Sequence, residues 1–136
     1  MVIDNIKTRN AFVRPIGSFE GIQFQLADHF TDIESTKLLT YRAAWVMDKM
    51  YNEGNFSHHD VVLSAAMSKL RAPVIAFDAM NEVADRLVAI GYTKEYPIEM
   101  GISGIRSYSI NAEGTMNIMK IIIARELLGK EFLSYK

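Results

Sequence analysis

Glu113 is the side chain in this sequence best placed to move a proton. It stands two residues before Thr115, a residue type that caps helices by accepting a backbone N–H of the first turn. A carboxylate just outside a helix start lies near the positive end of the helix dipole, which favours its ionised form and suits a base. Gly114 beside it carries no Cβ, so a flat ligand or another backbone can come close. The competing reading is a solvated acid at a helix end. His58-His59-Asp60 is the other group with chemical potential. Adjacent histidines at a helix start point in different directions, and no second ligand follows at i,i+4, so the spacing favours a solvated helix cap over a metal site. His29 stands alone. The chain has no cysteine, hence no disulfide and no thiol chemistry. It also shows no phosphate-cradling glycine loop and no Ser/His/Asp set.

The elements that must carry these residues read as helices. From Thr115, Ile118, Ile121, Ile122, Arg125 and Leu128 recur at helical spacing, Glu126 and Lys130 form an i,i+4 pair, and Gly129 supplies a C-terminal stop. Met1 to Phe12, with Ile3 and Ile6 on one face, reads as the last turns of a helix, broken at Arg14-Pro15-Ile16-Gly17. Ser18 is the expected cap of a second helix whose stripe runs Phe19, Ile22, Leu26, Phe30, Ile33 and on to Met47 and Tyr51, ending at Asn52-Glu53-Gly54-Asn55. At 1.5 Å per residue this helix is ~50 Å long. Ser57 with Asp60 opens a third, striped by Val61, Ala65, Leu70, Val74, Phe77, Met80, Ala84 and Leu87. Pro73 predicts a kink inside it, or two shorter helices meeting at Ala72-Pro73. Gly91 to Pro97 reads as a loop, Pro97 to Met100 as a short helix, Arg106 to Ala112 as irregular, and Lys130 to Lys136 as a fraying tail. Trp45, Tyr41 and the methionines at 47, 50 and 80 fall on or near the stripes, as core or interface residues. The fold class is all-α: one domain over residues 1–136, an up-down helical bundle with its first helix truncated.

Two long helices and one short one do not cover each other's apolar faces. The bundle is therefore expected to pair with a second copy or another chain. Apolar residues make up 49% of the chain, charged residues 23%, and the net charge is −1. With no block of like charge, this argues against nucleic acid or an anionic membrane as partner. The polar opening residues do not form a signal peptide and no apolar run reaches membrane-spanning length, so a cytoplasmic location is expected.

Four runs resemble the acyl-CoA dehydrogenases, in their order and near their spacing. Arg9-Asn-Ala-Phe12-Val-Arg-Pro15-Ile16-Gly17-Ser-Phe19-Glu20-Gly-Ile22-Gln23-Phe24-Gln-Leu26-Ala27-Asp28 is similar to their Arg-x-x-Phe-Gly-x-Pro-Ile-x-x-Phe-Gln-x-Ile-Gln run. Leu39-Thr-Tyr-Arg-Ala-Ala-Trp45 follows, then Gly91-Tyr-Thr-Lys-Glu-Tyr-Pro-Ile-Glu99. Glu113-Gly-Thr115 with Ile122-Ile-Ala-Arg-Glu-Leu128 resembles their Glu-Gly-Thr … Ile-Ala-Arg-Glu. The match is to the C-terminal helical domain alone. The resemblance implies an FAD-dependent oxidation of an acyl-CoA between Cα and Cβ, as in fatty acid metabolism, with Glu113 as the base. It makes Thr115 a flavin-contacting position, and Arg9 and Phe12 positions that touch the FAD of a neighbouring subunit. It also implies a homo-oligomer, dimer or tetramer, or a partner chain supplying the flavin half. This chain departs from the family pattern at Val13 for glycine, Glu20 for glutamine, Ser103-Gly104 for Arg-Asp, and Ala112 for tyrosine. Asp85-Arg-Leu-Val88-Ala89 stands where the family has Gln-x-x-Gly-Gly against the FAD pyrophosphate. Carboxylates at 20 and 85 repel a pyrophosphate where glutamine would donate to it.

Overall fold

A computed structural model describes residues 1–112 and 114–133. Among them are six α-helices. α1 spans Val2–Thr8, α2 Glu20–Glu53, α3 His58–Leu87, α4 Ala89–Tyr92, α5 Ile98–Ile110 and α6 Met116–Leu128. Between α1 and α2 lies a two-stranded antiparallel hairpin, β1 (Asn10–Ala11) and β2 (Arg14–Pro15), which leads into a 3₁₀ turn over Ile16–Ser18. The all-α bundle expected from the sequence is the architecture found.

α3 is the central element. α2 packs along it on one side, and α5, α6, α4 and α1 each also contact it. Its start is built as expected. Ser57 accepts from the Asp60 N–H while Asp60 accepts from the Ser57 N–H, so two free donors of the first turn are satisfied reciprocally. Both the Ser57 hydroxyl and its N–H hold the Asp60 carboxyl below its usual range. Pro73 does not divide α3, which runs unbroken through it, and the proline is buried.

The strongest link between α2 and α3 is around Val46, which is fully buried, and Ser64, which is 1% exposed. Ser64 Oγ donates to the Asp60 carbonyl and accepts from Arg42 Nη1 at 2.9 Å, so the buried hydroxyl is satisfied on both sides. Thr40 and Ser68 hydroxyls meet at 2.8 Å one turn further along.

Several boundaries differ from the sequence expectation. Phe19 is the N-cap residue of α2; Ser18 instead donates to the Pro15 carbonyl and closes the 3₁₀ turn. Ala89–Tyr92 folds as a short helix that runs into the start of the predicted Gly91–Pro97 loop, because Gly91 lets its backbone pack on α3: a Cβ there would sit 2.4 Å from the Ala84 carbonyl oxygen. α5 continues through Gly101, Ser103 and Gly104 to Ile110, where only a short helix over Pro97 to Met100 and irregular chain from Arg106 were expected. Buried Ile98 and half-buried Ile102 and Ile105 anchor it on α3, and this packing overrides the weak helix propensity of the glycines.

Much apolar surface stays uncovered. Only Val46 is buried along the 34 residues of α2. Phe24, Phe30, Leu38, Tyr41, Trp45, Met47 and Tyr51 are exposed, although Trp45 rests edge-on against Phe56. This is the half-covered bundle that the sequence predicted.

Candidate functional site

Glu113, the candidate base, lies outside the described residues. Its flanks are defined. Gly114 has φ +113°, a left-handed conformation that glycine adopts freely. Thr115 caps α6, its hydroxyl accepting from the Ile118 N–H at 3.4 Å. Its role in the structure is thus a cap, with the side chain exposed. Met119, one turn in, is the buried residue of α6, whereas Ile118 and Leu128 are exposed. The buried stripe is therefore displaced from the predicted one.

The far end of α6 is tied to the start of α3. Glu126 does not pair with Lys130 as predicted. Its carboxylate accepts from its neighbour Arg125 and from His59 Nδ1. The Arg125 guanidinium, seconded by His59, holds the Glu126 carboxyl below its usual range, against the opposing effect of partial burial. His59 is thus a strut between helices. No group of three or more potential metal ligands occurs among the described residues. His29 lines a small cavity beneath α1.

Arg9 and Phe12 belong to the hairpin at the opposite end of α3. Arg9 Nη1 donates to the Arg86 carbonyl at 3.4 Å, pinning the hairpin to the last turn of α3. Phe12 and Val13 form its two-residue turn, both with positive φ (+49° and +70°), and both fully presented to solvent. Phe12 stacks edge-on with Phe19, over which the Arg14 guanidinium also lies, 4.1 Å from the ring centre. The tie to α6 at His59 and the tie to the hairpin at Arg86 are separated by nearly the whole of α3, ~40 Å at helical rise. Arg9 and Phe12 form one locus on the hairpin, and Thr115 stands at the start of α6, the end away from the His59 tie.

A cleft of about 490 Å³ lies between the end of α3, α4 and α5, lined by Asp85, Val88, Tyr92, Glu99, Ile102 and Ser103 among others. Neither Asp85 nor Glu99 forms an ion pair among the described residues. Val88 has φ +52° and ψ −120°, a region that essentially only glycine occupies without strain. Sequence reasoning singled out Asp85 and Val88 by their residue types. It missed Glu99, which comes from a different helix and joins them only when α5 folds back on α3.

Residues 1–128 match the acyl-CoA dehydrogenase C-terminal domain. This chain belongs to that family. Benzylmalonyl-CoA dehydrogenase of Aromatoleum aromaticum is 35% identical over 119 residues, covering 88% of this chain and 29% of that protein. Butyryl-CoA dehydrogenase of Megasphaera elsdenii superposes with a TM-score of 0.79 at 28% identity, over 93% of this chain and 31% of that one. A structure of PigA in complex with FAD gives the same TM-score at 25% identity, over 93% and 30%. The chain spans about 30% of the length of these acyl-CoA dehydrogenase relatives, and it corresponds to their helical C-terminal part.

The family brings FAD into question for this chain. Its α3–α4–α5 cleft does not fit the phosphates of a dinucleotide. Two carboxylates line it without a counter-charge, and the Val88 side chain occupies a backbone position of glycine geometry where a close anion contact would need the space.

Proposed function

We propose that this chain is the helical domain of an acyl-CoA oxidoreductase assembly acting on CH–CH bonds, inactive alone, in which another polypeptide holds the flavin and the thioester. The observation that carries this reading is the family match over residues 1–128, about 30% of the relatives' length, combined with the exposed apolar face of α2. In this role the chain contributes a proton-accepting carboxylate at Glu113, with Gly114 leaving room beside it and the capped start of α6 favouring its charged form. Arg9 and Phe12, displayed on the hairpin, serve a separate site on a neighbouring subunit. A cytoplasmic location accompanies this reading.

The test is isolation of the tagged chain with its partners from the cell that makes it. A complex with a flavin absorbance band that bleaches with an acyl-CoA, and that keeps the band but loses the bleaching in Glu113→Gln, supports the assignment. A colourless complex overturns it. The cleft around Asp85, Val88 and Glu99 favours a second reading, in which the fold serves assembly and the flavin chemistry has been lost. A colourless, stable oligomer of the chain itself is the outcome that selects it.

A further inference from the structure

Two surfaces meet the solvent near the last turn of α3, and neither is satisfied within its own chain. The first is the tip of the hairpin. Phe12 and Val13 both hold positive φ, as the mirror-image turn of a two-residue hairpin requires. Phe12 is 88% exposed and Val13 fully so. Arg14 follows them, exposed and lying over the Phe19 ring, with no ion-pair partner among the described residues. The tip is held in place. Arg9 is bonded to the Arg86 carbonyl, and the Arg9 carbonyl accepts the Ile16 N–H at 2.9 Å. The second surface is the cleft of about 490 Å³ among α3, α4 and α5, within the ~300–1,000 Å³ of pockets that enclose a compact group. Val88, Tyr92 and Ile102 give it apolar walls, and Asp85 and Glu99 give it a negative charge that no ion pair offsets among the described residues.

We infer that two copies of this chain dock by inserting the hairpin tip of each into the α3–α4–α5 cleft of the other, with Phe12 and Val13 on the apolar walls and Arg14 between Asp85 and Glu99. The inference rests on the second reading above, in which the fold serves assembly, and names the surfaces that meet. Charge complementarity selects a second copy as the occupant. The tip offers a cation beside two apolar groups, and the cleft offers two carboxylates beside apolar walls. The placement makes the contact reciprocal. Arg9 bonds the carbonyl of Arg86, the residue after Asp85, so tip and cleft share one end of α3, and a two-fold axis there forms both contacts at once. The tip does not fill its own cleft, whose lining contains no hairpin residue, and Phe12 packs on Phe19 instead. A tip already fixed in shape loses little freedom on docking. Val13, Asp85 and Val88 are among the departures from the family pattern, so the contact belongs to this chain in particular.

The test is sedimentation of the full chain at tens of micromolar, beside Arg14→Glu, Asp85→Lys and the two combined, each checked for unchanged far-UV circular dichroism. Each single change sets like charges together and is expected to weaken the dimer by roughly tenfold or more. The combined change reverses the pair without removing it, and should restore the dimer. Added salt should weaken the unmodified dimer. Hydrogen exchange should slow with rising concentration over residues 12–14 and 85–103. Should Asp85→Lys fail to fold, Glu99→Lys takes its place against Arg14→Glu. A dimer that persists through the single changes overturns the inference and leaves the assembly reading standing. Single changes that dissociate the dimer with no rescue by their combination also overturn it, since the two charges then do not meet. A chain that stays monomeric removes the inference and the assembly reading together.

Discussion

At the scale of single residues, two valines hold conformations that suit glycine. Val13 and Val88 are β-branched residues at positive φ, where steric cost is of order 1–3 kcal/mol each. Val88→Gly is expected to raise stability by about 1 kcal/mol, less than the full strain because glycine also gains freedom in the unfolded chain. Val13→Gly should act in the same direction, and thermal unfolding of each variant measures it. Both positions were legible in the sequence as departures from the family pattern. What residue types alone did not reveal is that the backbone would keep the glycine geometry under a valine. Acid sensitivity belongs to this scale too. Glu126 and Asp60 both have carboxyls held below their ordinary range in the folded state. Their contribution is complete above the unfolded carboxylate range near pH 4 and is lost as pH falls through the lower folded values. Stability should therefore drop on acidification below about pH 4, and Glu126→Gln should flatten part of that limb in an acid titration followed by circular dichroism.

At the scale of elements, caps and packing divide the work. Ser57 and Thr115 were readable as caps because a short hydroxyl side chain before an apolar run has one local use, and both make the expected bond. Thr115→Ala is expected to cost about 1 kcal/mol through the start of α6, without touching the α2–α3 pair. The elements that escaped the sequence are those decided by distant contacts. α5 crosses two glycines because Ile98 and its neighbours bury against α3, and α4 forms because Gly91 admits the Ala84 carbonyl. Gly91→Ala should accordingly be strongly destabilising, with a loss of cooperative melting that Gly21→Ala, in open space on α2, does not show. The Glu126–Lys130 pair failed for a related reason. Spacing along one helix cannot anticipate that His59 of α3 arrives beside the same carboxylate.

At the scale of the whole molecule, the bundle was legible as a bundle, and so was its incomplete cover, because apolar periodicity records how much surface each helix must hide. Where the candidate site residues fall on the bundle was not legible, since it depends on which part of α3 each segment meets. The central position of α3 has a mechanical corollary. α2 leans mainly on α3 and on the short turn before it, and the two are joined by an exposed bend at Gly54, Asn55 and Ser57. Val46→Ala, which hollows the tightest point of that seam, should cost about 2 kcal/mol in chemical denaturation. A protease admitted at the bend would sever a single strap and leave two large pieces, one of about 53 residues and the other holding everything that grips α3 from the opposite side. Brief digestion should yield this pair and no ladder of smaller products, with the pieces parting in mild urea well before the larger one melts.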